Sequence, residues 1–586
     1  MTVSPPPRSP YALRDYALIA DGERGALIGP DGGLAWLCFP GWDDPAVVAG
    51  LLGSGGRYEL GPVGRWVPGG AYEDGSLIWR SRWVTEQGIV ECREALACPA
   101  APDRAVVLRR VTTLDGRHRL RAVLGLAGDY GRRPIDRWSR DGDTWTARGA
   151  GMTVRWSGAA GARAGRRKAD RGHLVLDLEL DPGESRDLVV ELATGPLPDS
   201  PPPPDGLWWA TEQYWQSVVP DCADTVAPRD VQHSIAVLRG LTSVSGGTVA
   251  AATMCLPERA EAGRNYDYRY SWLRDTACVG RVGAAVKGAE AFLDGATRWT
   301  VARLLDGGPA VMPVYAVDGR PVPTEARLDL PGYPGGFNVL GNRARDQFQL
   351  DVFGESLVLL ADAAAAGRLD ADGWRAVEVA VAAIEQRWTE PDAGIWETEA
   401  NCWTQSRLMC VAGLKAISAA GAPTGLASRA LPLADRVLSD TGRSSLHPTG
   451  RWQRGPGDDR VDGSLLLAEL WGALPPDDPR TAATRRAIAE DLSEDGYLYR
   501  YAHPDRPLYE AEGAFLVCNF WMALADLRAG HTVDGARWFE RTRGACGPAE
   551  LYSEEFDVRQ RQLRGNLPQA FVHAALVEAS AAKEWP

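Results

Sequence analysis

The stretches WRAVEVAVAAIEQRW (374–388), SLLLAELWGAL (464–474) and AFLVCNFWMALADLRAG (514–530) decide the fold of the larger part of this chain. Each is rich in Ala, Leu and Val and repeats its apolar residues with the period of a helix. About a dozen such segments follow one another between residues 227 and 586, and many are paired through Gly, Pro and Asp turns. Paired helices in this number predict a double-layered helical toroid. A right-handed solenoid is disfavoured because the segments show no fixed repeat period.

The first third of the chain shows a strand pattern instead. The runs VVLRRVTTL (106–114), MTVRWSG (152–158) and HLVLDLEL (173–180) mix β-branched residues with alternation and end at Gly, Asp or Pro. They predict an antiparallel β-sandwich. The proline run PDSPPPPDG (197–205) predicts a stiff extended connector, because proline fits neither a strand nor a helix interior. We therefore expect a β-sandwich domain, a linker and an all-α toroid at residues 1–205, 206–226 and 227–586.

The composition excludes several classes of protein. Of the 586 residues, 45% are hydrophobic and 24% are charged, as in globular proteins and unlike disordered or fibrous chains. The formal net charge of −13 argues against a nucleic-acid partner. The ten cysteines are scattered without the spacing of a zinc site, so we expect reduced thiols and no metal. The chain shows no signal-peptide pattern and no run of about 18 apolar residues, which predicts a cytoplasmic protein without a membrane partner.

Tryptophan is unusually frequent, with 22 Trp against 10 Phe. The flat apolar face and edge N–H of an indole suit sugar rings, although packing in the core explains the count equally well. In GRNYDYRYSWLRDTA (263–277), Arg274 and Asp275 lie among Tyr268 and Trp272. The stretch predicts either charge pairs that staple the start of a helix or, as we favour, the floor of a sugar pocket.

Two further stretches place carboxyl groups in loops. In TEPDAGIWETEANCW (389–403), Glu397 follows Trp396 after a turn-forming Pro-Asp-Ala-Gly. A carboxyl desolvated by an indole holds its proton more tightly, so Glu397 is a candidate acid, and a solvated Glu at a helix start is the alternative. LYSEEFDVRQRQLRGNLPQAFVHAAL (551–576) contains Glu554, Glu555 and Asp557. Magnesium or calcium would need more oxygen ligands than this run supplies, whereas two carboxylates from separate loops fit glycoside hydrolysis.

The three stretches, in this order and at this spacing, resemble glycoside hydrolase family 15, which comprises the glucoamylase-type and bacterial trehalase enzymes. The resemblance extends over nearly the whole chain, through DYALIADGERGALIGPDGGLAWLCFPGWDDPAVVAGLLG (15–53), MCLPE (254–258), GNRARDQFQLDVFGE (341–355), DLSEDGYLYRY (491–501) and EGAFLVCNFW (512–521). It implies a β-sandwich followed by an (α/α)6 barrel. It also implies exo-acting hydrolysis of a terminal α-linked glucose, in a small-molecule glycoside or an oligosaccharide, with inversion and without a cofactor.

The resemblance also implies roles for single residues. Glu397 matches the general acid and Glu554 the general base, and Glu555 is only the neighbour of that base. The expected substrate-binding residues are Arg274 and Asp275, which grip hydroxyls of the terminal sugar, with Trp272, Tyr268, Trp396 and Glu512. In such a mechanism Glu397 protonates the glycosidic oxygen while Glu554 deprotonates a water, so the two carboxyl groups are expected about 6.5–9.5 Å apart.

The chain departs from the family pattern at several positions near the site. Val339 stands where an arginine usually precedes the Gly-Asn pair, and Ala511 replaces one member of an acidic pair. A usual His-Ser-Lys run appears as Gln405, Ser406 and Arg407. Each change removes a charged or hydrogen-bonding partner, which bears on the linkage that is cleaved. Trp36, in the sandwich, could reach over the site, although a core position is the favoured interpretation.

Two other functions stay open at this stage. The altered pocket residues also fit a non-hydrolytic carbohydrate-binding or regulatory protein. An aromatic-rich toroid could instead carry out a carbocation reaction of the cyclase type, but the hydroxyl-gripping Arg274 and Asp275 argue against it. Trehalose, maltose and isomaltose-type linkages all remain candidates, and the sequence leaves assembly into an oligomer open.

Overall fold

The computed structural model describes residues 10–165, 172–259 and 264–585. The N-terminal part consists of antiparallel strands, as their pairing registers show. The strands are β1 (Ala17–Ala20), β2 (Gly25–Ile28), β3 (Leu34–Cys38), β4 (Ala46–Val48), β5 (Arg57–Pro62), β6 (Trp66–Tyr72), β7 (Trp79–Thr85), β8 (Ile89–Leu96), β9 (Arg104–Thr113), β10 (His118–Gly125), β11 (Arg133–Pro134), β12 (Trp138–Asp141), β13 (Thr144–Gly149), β14 (Met152–Ser157), β15 (Arg163–Ala164), β16 (Leu174–Leu180) and β17 (Ser185–Ala193).

The strands form three sheets, with orders β1-β2-β3-β4, β15-β16-β10-β5 and β12-β13-β14-β17-β9-β8-β7-β6. The runs predicted as strands lie in β9, β14 and β16, and the antiparallel sheet domain is confirmed. Tyr58 of β5 meets Trp156 of β14 edge to face, with ring centroids 6.3 Å apart. The Arg109 guanidinium lies 4.2 Å from the centre of the Tyr58 ring and 3.0 Å from Glu94, within the same interior. These contacts join the second sheet to the third.

The predicted linker over 206–226 is in large part a helix, Pro204–Val218. Proline is favoured at the first helical position, where its missing N–H costs no hydrogen bond. Trp208 and Trp215 are buried, seven residues apart on one helical face. Trp208 donates a hydrogen bond to Asp187 of β17 at 3.2 Å. The extended connector was predicted for residues 197–205, of which 197–203 lie in neither helix nor strand, and the helix that follows packs Trp208 against the sandwich.

The rest of the described chain forms a closed double ring of helices. Six inner segments each contact the next, and the last contacts the first: Leu273–Ala285, Asp351–Ala365, Thr404–Ala419, Gly463–Leu466 with Leu467–Leu470, Leu516–Arg528 and Ala570–Ser580. Six outer helices each pack on an inner one: Pro228–Leu241, Glu290–Gly307, Ala371–Arg387, Thr424–Ser444, Pro479–Asp491 and Thr532–Arg543. The predicted toroid is therefore confirmed as an (α/α)6 barrel.

One of the three deciding stretches forms less helix than its period predicts. Residues 464–474 contain the end of a 3₁₀ turn, Gly463–Leu466, and a single α-helical turn, Leu467–Leu470. The helix stops there because the chain turns at Gly472, whose φ of 87° lies in the left-handed region. Its apolar residues are nevertheless buried, because this short segment closes the inner ring.

Candidate active site

A deep cavity lies at the end of the barrel where the inner helices begin. It contains about 920 Å³ of empty space, with its open mouth included. Its wall comes from loops far apart in sequence: Trp272 precedes one inner helix, Trp396 and Glu397 lie in a turn between two others, and Glu554 lies near the C-terminus. The structure thus brings all three predicted stretches to one cavity.

Glu397 lies in a tight turn between an outer and an inner helix. Its N–H donates to the carbonyl of Gly394 at 3.1 Å, and the N–H of Thr398 donates to that of Ala393 at 3.0 Å. Glu397 has a φ of 54°, in the left-handed region that non-glycine residues rarely adopt. Such a conformation is unfavourable and is found mostly at functional sites.

The Glu397 carboxyl receives its hydrogen bonds at one oxygen. Trp272 donates its indole N–H to Oε1 at 2.7 Å, and the Gln349 amide donates to the same atom at 3.3 Å. The Arg274 guanidinium lies 3.7 Å from Oε1. The preceding residue, Trp396, directs its own N–H to Asp462 at 2.7 Å instead. The indole that bonds the predicted acid is therefore Trp272, and not its neighbour in sequence.

The Glu554 carboxyl is contacted by Tyr268, which belongs, like Trp272, to the stretch at residues 263–277. The Tyr268 hydroxyl lies 3.0 Å from Oε2 and 3.2 Å from Oε1. The backbone of Glu554 accepts a hydrogen bond from Leu516, next to the small sheet formed by Ala514–Phe515, Glu555–Asp557 and Gln562–Arg564. Burial raises the pKa of Glu554 well above its usual range, and the Glu258 carboxyl raises it further.

The two carboxyl groups are linked through a pair of aromatic rings. Tyr268 and Trp272 meet edge to face, with centroids 5.8 Å apart. One ring bonds Glu554 and the other bonds Glu397. Trp272 is fixed because Ser271–Trp272 pairs with Val314–Tyr315 as a short strand. The separation of the two carboxyl groups thus depends on a rigid aromatic contact, which preorganises the site.

Arg274 and Asp275 begin the first inner helix and face the cavity. Arg274 Nε lies 3.6 Å from Asp275, a loose contact that satisfies neither side fully. Asp275 is 1% exposed, and neither of its carboxyl oxygens has a hydrogen-bond partner within the described residues. Burial raises the pKa of Asp275 to about 6. A buried carboxyl without a partner is costly, so this position favours a ligand that supplies hydroxyl groups.

Glu512 lies behind the cavity wall and not on it. Its carboxylate binds Arg264 at 2.8 Å and Arg500 at 2.8 Å, and both arginines line the cavity. Although burial raises the pKa of Glu512, Arg500 and Arg264 together lower it to about 2. Glu512 is therefore an ion-pair partner of two arginines in the cavity wall, and its contact with substrate stays a prediction.

The departures from the family pattern also lie outside the cavity lining of the described residues. Val339 belongs to the short strand Val339–Leu340, and Ala511 and Gln405 are buried. Ser406 donates to Asp392 at 2.8 Å, and Arg407 forms a buried ion pair with the same carboxylate. Trp36 is 1% exposed and donates to the carbonyl of Ala252 at 3.0 Å, as a core residue between the domains.

The cavity residues that sequence reasoning missed include Glu258, Glu355 and Arg500. Glu258 ends MCLPE, Glu355 ends GNRARDQFQLDVFGE, and Arg500 lies in DLSEDGYLYRY. The signal that could have found them is a charged residue embedded among apolar or aromatic neighbours. All ten cysteines are unpaired. In the parts of the chain that the structure describes, no group of three or more His, Cys, Asp or Glu is arranged to hold a metal, and no helix has the length and apolar character to span a bilayer.

Comparisons with known proteins agree with this geometry. The family described as Glycosyl hydrolases family 15 matches residues 229–581, and that described as Trehalase-like, N-terminal matches residues 8–143. A trehalase of Mycobacterium tuberculosis (strain ATCC 25618 / H37Rv) is 32% identical over 99% of this chain and 91% of its own length. A trehalase of Mycolicibacterium smegmatis (strain ATCC 700084 / mc(2)155) is 32% identical over 98% of this chain and 91% of its own.

A more distant relative is an isomaltose glucohydrolase of Kribbella flavida (strain DSM 17836 / JCM 10339 / NBRC 14399). It is 29% identical over 46% of this chain and 69% of its own length. Among solved structures, a bacterial glucoamylase complexed with acarbose superposes with a TM-score of 0.71 at 14% identity, covering 100% of this chain and 96% of that one. At this identity the superposition supports the shared fold alone.

Proposed function

The chain belongs to glycosyl hydrolases family 15, and from that premise we propose that it cleaves a terminal α-linked glucose with inversion, using Glu397 as general acid and Glu554 as general base. It is a glycoside hydrolase that acts on α-glucosides. The observation that carries the finer proposal is that both carboxyl groups line one cavity and are held by Trp272 and Tyr268, two rings in mutual contact.

We infer from the hydrogen bonds which carboxyl oxygen of Glu397 donates a proton to the glycoside and which residue takes a proton from water. Oε1 of Glu397 accepts from both Trp272 and Gln349, so Oε2 is the atom that carries the proton to the glycosidic oxygen. Glu554 receives the Tyr268 hydroxyl and takes a proton from the attacking water. A raised pKa strengthens Glu554 as a base once it is ionised. Inversion requires a water between base and sugar, so we expect the carboxyl groups about 6.5–9.5 Å apart.

The shape of the cavity supports exo action. Its lining runs from exposed Arg343 and half-buried Thr398 to Asp275 and Glu355, each 1% exposed. Such a cavity admits the end of a glycan rather than its middle. Arg274 and Asp275 at its base would then bind hydroxyl groups of the terminal ring.

Trehalose is the first substrate to test. Trehalases align over nearly the whole chain, whereas the isomaltose glucohydrolase aligns over less than half of it. The cavity residues Arg264, Arg343 and Arg500 add hydrogen-bond donors for a hydroxylated second ring.

Proton NMR on trehalose, maltose and isomaltose tests bond and stereochemistry together. Each inverting cleavage of trehalose releases one β-glucose and one α-glucose, because only one anomeric carbon is attacked. Equal early amounts of both anomers are therefore expected, whereas a retaining enzyme would release α-glucose alone. Maltotriose labelled at its reducing end should first give glucose and labelled maltose if the enzyme acts from the chain end.

Two variants separate the acid from the base. Glu397→Gln should lose hydrolysis of natural glycosides but keep that of α-glucosyl fluoride, because fluoride leaves with little protonation. Glu554→Gln should lose both by at least about 100-fold, since proton transfer contributes 10²–10⁴. Glu555→Gln is the matched control: its carboxylate accepts from the Gly513 N–H at 2.7 Å and is not among the cavity lining. Unchanged hydrolysis by both site variants would refute the assignments.

If none of the three disaccharides is hydrolysed but the protein binds glucose, the alternative of a non-hydrolytic carbohydrate-binding protein is favoured. The carbocation reaction would be favoured only if no sugar bound. A cytoplasmic location and assembly into an oligomer stay predictions.

A further inference from the structure

Glu355 lies on the innermost part of the cavity lining, on the inner helix Asp351–Ala365. Its side chain is buried, with 1% exposure of the residue. Neither carboxyl oxygen has a hydrogen-bond partner among the residues that the structure describes. The mechanism proposed above makes no use of it, so its burial without a partner needs another explanation.

The nearest cation does not satisfy Glu355. Arg274 faces Asp275 at 3.6 Å and Glu397 at 3.7 Å, and its third nitrogen, Nη1, bonds none of the described residues. Asp351, one turn earlier on the same helical face, is also buried and acidic, so it repels Glu355. Within the protein alone, the position of Glu355 is therefore unfavourable.

We propose that Glu355 binds a hydroxyl of the terminal glucose ring directly, as a contact additional to that of the Arg274–Asp275 pair. This rests on the proposed function in that a glucosyl ring occupies the cavity. A sugar that fills the cavity displaces solvent from the floor, so the sugar itself must supply the partner of this carboxyl. A site built in this way rejects an analogue that lacks the hydroxyl.

The electrostatics of the floor agree with such a contact. Burial and the Asp351 carboxyl raise the pKa of Glu355 well above its usual range. In its protonated form a carboxyl can both donate to and accept from a sugar hydroxyl, and in its ionised form it accepts.

The proposal is tested by measuring the binding of D-glucose and of its 2-, 3-, 4- and 6-deoxy forms. The readout is the fluorescence of cavity tryptophans such as Trp272 and Trp471. In the wild type, removal of a hydroxyl that the protein contacts should weaken binding of the sugar. Glu355→Met, which keeps the length and removes the polar atoms, should weaken glucose binding about 10- to 100-fold. For one deoxy position the variant should show no further loss, because the partner of that hydroxyl is gone. In Glu355→Gln, removal of that same hydroxyl should again weaken binding, but by less than in the wild type.

Asp362→Asn is the control, because Asp362 lies on the same inner helix but binds Arg281 at 3.0 Å and is not among the cavity lining. It should keep the wild-type pattern of deoxy penalties. Glu355→Met should also raise the melting temperature of the ligand-free protein, since it removes a buried carboxyl without a partner. The same penalties at all four positions in wild type and Glu355→Met would overturn the proposal.

The same data separate this proposal from the proposed function. If the wild type hydrolyses no α-glucoside but binds glucose with the deoxy pattern described, the catalytic proposal fails and the assignment of Glu355 is supported. If the wild type hydrolyses an α-glucoside but binds no glucose, the assignment of Glu355 alone is overturned, and if it does neither, both are overturned.

Discussion

The two predicted catalytic carboxyl groups differ most in their immediate surroundings. The side chain of Glu397 is 22% exposed and receives N–H donors at one oxygen. Glu554 is 5% exposed and has Glu258, a second carboxyl group, in the same cavity wall. Burial and this second carboxyl both raise the pKa of Glu554 above its usual range. At the scale of single residues, Glu258 is therefore the neighbour most able to tune the base.

The pH profile should report this influence. Glu554 must be ionised to accept a proton, and burial and Glu258 raise its pKa. As the pH is lowered, activity should therefore begin to fall at a pH above the usual pKa of a Glu, about 4.3. Glu258→Gln removes one source of the rise, so the acidic limb of kcat/KM should move to lower pH, by about 1 unit. The measurement is kcat/KM between pH 4 and pH 8.

Asp557→Asn serves as the control for this profile, because Asp557 lies three residues after Glu554, accepts from the backbone N–H groups of Arg559 and Gln560 and does not line the cavity. Its acidic limb should match that of the wild type. If the acidic limb of kcat/KM in Glu258→Gln stays at the wild-type pH or moves to higher pH, Glu258 does not raise the pKa of the base.

Among the elements, the turn at residues 393–398 has the largest effect on the site. It connects the outer helix Ala371–Arg387 with the inner helix Thr404–Ala419 and positions Glu397 at its end. Gly394 has a φ of 66°, and a Cβ there would lie 2.6 Å from Cδ1 of Trp403. The turn therefore requires glycine for both its backbone conformation and its close packing.

Gly394→Ala should displace this turn and the carboxyl that it carries. We expect a loss of about 1–3 kcal/mol in the free energy of unfolding from the left-handed conformation and the clash. We also expect kcat for the α-glucoside to fall by about 100-fold, because small displacements of a catalytic group are costly. Urea denaturation and steady-state kinetics measure the two effects.

Gly421→Ala is the control, since Gly421 has a φ of 88° but no atom within 4 Å of the added Cβ. It should lose stability to a smaller extent and keep its kcat. Equal losses of kcat in the two variants would show that the turn does not control the position of Glu397.

At the scale of the whole molecule, the first predicted stretch joins the two domains. Arg269 binds Asp267 at 2.8 Å, and both side chains are fully buried. The same guanidinium donates to the carbonyls of Trp42 at 3.2 Å and Asp44 at 2.8 Å, in the sandwich. The buried charge pair of this stretch therefore contacts the sandwich rather than the start of a helix, while Tyr268 and Arg274 of the same stretch face the cavity.

Breaking this pair should destabilise the protein strongly. Arg269→Met leaves Asp267 buried and unpaired, which should lower the free energy of unfolding by about 3–5 kcal/mol. The double variant Asp267→Leu/Arg269→Met should lose less than the sum of the single variants, because no unpaired charge remains. Urea denaturation gives all three values.

Arg320 offers the exposed counterpart, since it bridges to Asp43 of the sandwich at 3.2 Å with a side chain 62% exposed. Arg320→Met should cost less than about 1 kcal/mol, because solvent screens the pair. A similar loss in Arg269→Met and Arg320→Met would contradict a special role for the buried pair.

The sequence by itself determined the local structure and predicted several of the residues that line one cavity. Helix and strand periods depend only on neighbours in the chain, so residues 374–388 and 106–114 were predicted in the right class. Glu397, Glu554, Arg274 and Asp275 stand in compact stretches whose polar and aromatic mixture is visible without a structure. The helix Pro204–Val218 was not predicted within the linker, because the proline run obscured the helical spacing of Trp208 and Trp215 that follows it.

Only the tertiary structure decided which residues meet and which side each one faces. Glu258, Glu355 and Arg500 reach the cavity because the ring of helices closes, and no local period encodes contacts between residues so far apart in the chain. The loop that sends Tyr268 to the site also sends Arg269 to the sandwich, because adjacent side chains of an extended segment point to opposite sides. Burial and partner choice, which set the pKa of Glu554 and the role of Glu512, arise from that packing.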